Sequence, residues 1–125
     1  MTLTNTELRK WAQLGMKLEA QSLEETGTSL MTGMSYGRSG KAKADDLRRN
    51  PPFCDRQALV DWATVALNEE CRTTRIQLAE AQKSGDKRTE KEAARYIASM
   101  DRCIDAIIEI KEKEHFTYCS YIRDW

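Results

Sequence analysis

Between residues 60 and 81, apolar and small side chains recur at Val60, Thr64, Leu67, Cys71, Thr74, Leu78 and Ala81, in alternating steps of four and three. That spacing is the heptad seam of a helix with one main neighbour. The first half of this segment, "ALVDWATVAL", is apolar nearly all the way round, so it must be covered on several sides. A second run carries Ile97, Met100, Ile104 and Ile107 on a seam, flanked by Ala93, Tyr96, Cys103 and Ile110. Between the two runs stands "KSGDK", where Gly85 suits a left-handed helix end and Asp86 suits the next N-cap. So short a connection returns the chain antiparallel.

The pattern therefore predicts a long helical hairpin of coiled-coil type over 55–114. One arm begins at Asp55 and runs to about Lys83, and the other runs from Lys87 to about Glu114. Folding about Gly85 sets Leu78 near Ala93, Thr74 near Ile97 and Leu67 near Ile104. Each arm is on the order of 40 Å long at about 1.5 Å per residue. Its tip must therefore project into solvent or pack on something outside the chain.

Ahead of the hairpin, "TNTE" reads as a capping box in which Thr4 caps the Glu7 amide and Glu7 reaches back. A first helix over 5–25 follows, with Leu8, Trp11, Leu14, Leu18 and Gly15 as its apolar face and Arg9, Lys10, Lys17 and Glu19 mostly outside it. It ends at Gly27. Residues 26–54 read as a Gly-rich basic loop or connector, because Gly27, Gly33, Gly37 and Gly40 lie among Ser and Thr with no sustained period. Leu30, Met31 and Met34 can cover part of a core. "ADDLRRN" can form a helical turn before "NPP" stops it.

The whole chain, 1–125, reads as a single all-α domain: an N-terminal helix, the loop, the hairpin and an aromatic C-terminal tail over 115–125. A chain of 125 residues with 40% apolar and 32% charged side chains has enough apolar material for one core. No stretch reaches the roughly 18 apolar residues of a membrane span, and "MTLTNTELRK" lacks the apolar segment of a secretory signal. A cytoplasmic protein with no membrane association is the expectation. The 20 basic and 20 acidic side chains cancel, so any nucleic-acid contact must come from local clustering.

Two such clusters exist. Arg38, Lys41, Lys43, Arg48 and Arg49 against Asp45 and Asp46 make the segment "GRSGKAKADDLRR" a candidate anion-binding stretch. It is not a P-loop. "GKA" lacks the hydroxyl that would hold Mg²⁺, five positions before Gly40 stands Ser35 rather than glycine, and no buried strand precedes it. The hairpin tip is basic too, through Arg72, Arg75, Lys83, Lys87, Arg88, Lys91 and Arg95. The root is acidic, through Asp61, Glu69, Glu70, Asp101, Asp105, Glu109, Glu112 and Glu114.

Catalytic chemistry is thinly represented. His115 is the only histidine, and no motif sets a nucleophile beside a base. Cys54, Cys71, Cys103 and Cys119 form no C-x-x-C pair and read as reduced and mostly buried. A disulfide or redox pair of Cys71 with Cys103 across the hairpin stays open. A metal on His115 and Cys119 would need two further ligands, so no metal and no cofactor are expected. Phe116, Tyr118, Tyr121 and Trp125 give the tail a surface that either folds back over Leu59, Trp62 and Val65 or docks on a second subunit or partner.

In general character, the size, neutral charge and lack of catalytic machinery resemble those of small phage or mobile-element adaptors and inhibitors. The expected function is a non-enzymatic protein-binding adaptor or inhibitor built on a self-associating hairpin, with a protein partner or itself as ligand. The alternative is a nucleic-acid or nucleotide binder using the basic segment 38–49 and the basic tip.

Overall fold

The computed structural model describes residues 3–51 and 55–114. They form four α-helices: α1, Asn5–Thr26; α2, Gly40–Arg49, after a single 3₁₀ turn at Gly37–Ser39; α3, Arg56–Ser84; and α4, Lys87–Lys113. The protein is all-α. No described helix is long and apolar enough to cross a membrane.

The helix ends follow their local chemistry. Thr4 Oγ1 accepts the Glu7 N–H at 3.1 Å and donates to the Glu7 carboxylate at 2.9 Å. α1 stops where Gly27 turns left-handed (φ 71°) and returns its N–H to the Leu23 carbonyl. Asp55 caps α3 through the Ala58 N–H, and Gly85 closes it in the left-handed region. Asp86 then caps α4, accepting the Thr89 N–H at 3.2 Å and its hydroxyl at 2.6 Å.

Those two bonds, the hydroxyl's first, hold the Asp86 carboxyl below the ordinary aspartate range. A carboxylate depressed in the folded state contributes stability above its unfolded pKa and loses it as pH falls through the folded value. The wild type should accordingly lose melting temperature relative to Asp86→Asn, which caps without titrating, as pH drops through the carboxylate range. Parallel melting curves of the two proteins across that range would exclude a role for the Asp86 charge.

α3 and α4 pair antiparallel. At the root, Arg56 meets Glu114 at 2.8 Å. Midway, the Cys71 thiol lies 3.9 Å from the Met100 sulfur. This is the register that sets Leu67 level with Ile104. The main core lies at the root, where Leu3 and Leu8 of the N-terminal segment meet Val60, Leu67, Met100 and Ile107. In the first half of α3 nearly every face is covered, and Asp61 goes inside with its neighbours at 2% exposure. The acidic root surface therefore excludes Asp61.

α1 buries a different face from the one its large residues suggest. Leu8, Ala12, Gly15, Glu19, Ala20 and Leu23 are buried, whereas Trp11, Leu14 and Leu18 are only half-buried. The cause is close helix approach. A Cβ on Gly15 would lie 2.0 Å from the Trp62 carbonyl oxygen, so α1 crosses α3 with backbone nearly touching backbone. Only small residues permit that distance.

The segment read as a loop contains α2. Its glycine and alanines, poor signals of a buried helix in isolation, are what let it dock. Ala44 packs on Ala20 and Leu23 of α1. A Cβ at Gly40 would stand 2.3 Å from the Leu23 carbonyl. Residues 27–36 are also organised, through the Ser29 N–H to the Met34 carbonyl (2.9 Å) and the Tyr36 N–H to the Gly27 carbonyl (2.7 Å). Met31 enters the core at 2% exposure, against Ala12, Trp62 and Val65, while Met34 stays 52% exposed. Trp62 and Val65 thus pack against α1 and this loop.

Candidate functional site

The five basic residues proposed for anion binding do not converge. At about 100° per residue, Lys41, Arg48 and Arg49 lie on one side of α2, with Asp45 among them, and Lys43 lies on the opposite side. Arg48 is committed to Glu24 at 2.7 Å and Asp45 at 3.6 Å. Hydrogen bonding by Arg48, followed by its charge, holds the Glu24 carboxyl below its usual range. Lys43 sits over the Tyr36 ring, 4.4 Å from its centroid. Arg38, in the 3₁₀ turn, and Lys41 are exposed.

Lys43 does line a cavity of about 320 Å³ between α1, α2, the 27–36 loop and Trp62, but Glu19 and Asp46 line it as well. An incoming phosphate would therefore face two carboxylates beside one lysine. At the tip, Arg72 pairs with Glu69, Lys87 with Glu90 and Arg88 with Glu92, all three within one helix turn. Exposed pairs of this kind add little stability and leave Arg75, Lys83, Lys91 and Arg95 to set the local field.

Sequence reading missed Glu19. It was placed outside the apolar face, yet it is buried at 5% exposure. One carboxylate oxygen accepts the Ser29 hydroxyl at 2.5 Å, and the other accepts the Met31 N–H at 2.9 Å. This carboxylate clamps the loop to α1. The available signal was the stripe Ala12, Gly15, Glu19, Leu23, a helical spacing of small and apolar residues with one carboxylate in line.

Among the described residues, no group of three or more histidine, cysteine, aspartate or glutamate side chains is arranged to hold a metal ion. Cys71 and Cys103 are free and buried. Burial first, and then the neighbouring carboxylates Asp101 and Glu7 respectively, push both thiols above the usual range. Such thiols are weak nucleophiles. Cys54, His115, Cys119 and the tail residues Phe116, Tyr118, Tyr121 and Trp125 lie outside the described residues.

The geometry offers two other surfaces. One is the distal hairpin. Beyond Cys71 and Met100 the buried positions shrink to Thr74, Ala81 and Ala93, all small. Among the large apolar side chains here Leu78 and Ile97 are half-buried, whereas Ile76 at 48% exposure and Tyr96 at 40% face outward. The other is a groove of about 510 Å³ between α1 and α4, walled by Trp11, Leu14, Tyr96 and Cys103. It exists because α1 buries its small-residue stripe and leaves its large apolar face half open. No family model, curated protein or solved structure matches this chain.

Proposed function

We propose that the protein is a non-enzymatic, self-associating protein-binding module of the adaptor or inhibitor kind, with the hairpin as its working part. The observation that carries this reading is the distal half of α3 and α4. Its fully buried positions are the small Thr74, Ala81 and Ala93, with Leu78 and Ile97 only half-buried and Ile76 and Tyr96 turned outward. Two helices whose fully buried positions are this small leave Leu78 and Ile97 partly exposed, and exposed apolar side chains on such an arm are suited to a protein surface. The buried, poorly ionised thiols also favour a binding role over cysteine chemistry.

Sedimentation equilibrium over a concentration series tests it. The average mass is expected to rise above the 14.4 kDa of the monomer. The rise should diminish when Ile76 and Tyr96 are replaced by serine. A strict monomer at every concentration would remove self-association from the proposal. The same series on the chain shortened after Glu114 would show whether Phe116, Tyr118, Tyr121 and Trp125 contribute.

A further inference from the structure

The α1–α4 groove is apolar inside and basic at its edges. Trp11, Leu14, Tyr96 and Cys103 form the walls, with Lys10 and Ser99 also lining it. Arg95 and Arg102 stand four positions before and three after Ser99, so they flank the groove along the outer side of α4. Lys10, Arg95 and Arg102 are all exposed. Two carboxylates oppose them: Glu7, which lines the groove, and Glu70, which lies close to the Tyr96 hydroxyl. The basic rim still predominates.

α4 presents the complement on its other side. Asp101, Asp105 and Glu112 are exposed and share one stripe by helical spacing. In the middle of that stripe is Ile108, an apolar side chain 49% exposed among carboxylates. At about 100° per residue, Ile108 is half a turn of the helix away from Ser99, so ridge and groove lie on opposite sides of α4. An acidic helix with one apolar anchor is the chemistry that an apolar groove with a basic rim selects.

We infer that the groove between α1 and α4 receives the acidic ridge Asp101–Glu112 of a second copy, with Ile108 entering between Trp11 and Tyr96. This rests on the self-association reading and names its surface. Because groove and ridge lie on opposite sides of α4, one partner copy does not fill both, and the contact is heterologous. Repeated, it closes into a ring or continues as an open chain, and it does not stop at a two-fold dimer.

Two exposed charge-reversed pairs test it by sedimentation: Lys10→Glu with Arg95→Glu in the groove, and Asp105→Lys with Glu112→Lys on the ridge. Each double variant alone is expected to associate at least about tenfold more weakly than the wild type. An equimolar mixture of the two should recover association, because each then supplies the charge its partner lacks. Misfolded variants would not recover on mixing. If the wild type associates and both variants do so equally well, this surface is wrong and self-association stands. If both variants lose association and the mixture fails to restore it, the groove-to-ridge pairing is wrong. A wild type that stays monomeric removes both readings. A monomer whose tryptophan emission shifts on adding an acidic amphipathic peptide would assign the groove to a different protein and overturn the second-copy inference.

Discussion

Gly15→Ala is expected to destabilise the protein by about 2 kcal/mol net, within the range that an added methyl costs in a packed interior. The new Cβ would stand 2.0 Å from the Trp62 carbonyl oxygen and 2.9 Å from its carbon. These are backbone atoms within a helix and cannot rotate away. α1 must lift from α3, and the contacts of Ala12, Ala63 and Ala66, none of them measurably exposed, loosen with it. An opposing effect exists, since alanine favours a helix over glycine by about 1 kcal/mol. The overlap is large enough to outweigh it. Urea and thermal melting followed by helical circular dichroism should show a midpoint roughly 8 °C lower. Gln13→Ala, exposed on the same helix, should change stability by less than about 0.5 kcal/mol. A Gly15→Ala protein as stable as the wild type would mean that propensity wins and that the helices do not cross this closely.

What could be read in the chain beforehand divides along physical lines. The hairpin register was legible, because the short connection at Gly85 fixes where two periodic helices fold back on each other, and Cys71 meets Met100 accordingly. Caps were legible for the same local reason: Thr4, Gly27, Asp55, Gly85 and Asp86 act within four residues of themselves. The buried face of α1 was not. Trp11, Leu14 and Leu18 dominate any hydrophobic pattern, whereas a close crossing selects Ala12 and Gly15 by size. α2 was hidden because its glycine and alanines count against a buried helix until a neighbouring backbone is present to pack on. As for the site, clustering of Arg38, Lys41, Lys43, Arg48 and Arg49 along the chain is compositional: α2 sets Lys43 opposite Lys41, Arg48 and Arg49, and Arg38 lies outside the helix. The groove was out of reach because it arises from which face α1 leaves uncovered.

The same division explains why Glu19 escaped notice and why its replacement should be severe. Its partners, Ser29 and Met31, stand ten and twelve residues ahead, beyond any helical period. Glu19→Leu is expected to destabilise the protein by about 3 kcal/mol, because two buried donors lose their acceptor and each unsatisfied group costs about 1–3 kcal/mol. Ser29 and Met31 are 4% and 2% exposed, so water cannot replace the carboxylate without the loop opening. The damage should be local first. Amide exchange and protease sensitivity should rise across residues 28–35, and Met31 should withdraw from Trp62 before the α3–α4 seam is affected. Glu19→Gln keeps one carbonyl oxygen for the Met31 N–H and lets the Ser29 hydroxyl accept from the amide, so it should cost only about 1 kcal/mol. Unchanged exchange at residues 28–35 in Glu19→Leu would show that Met31 burial alone holds the loop. The graded response, leucine well above glutamine, would instead identify the carboxylate as the clamp that keeps a glycine-rich segment ordered against α1.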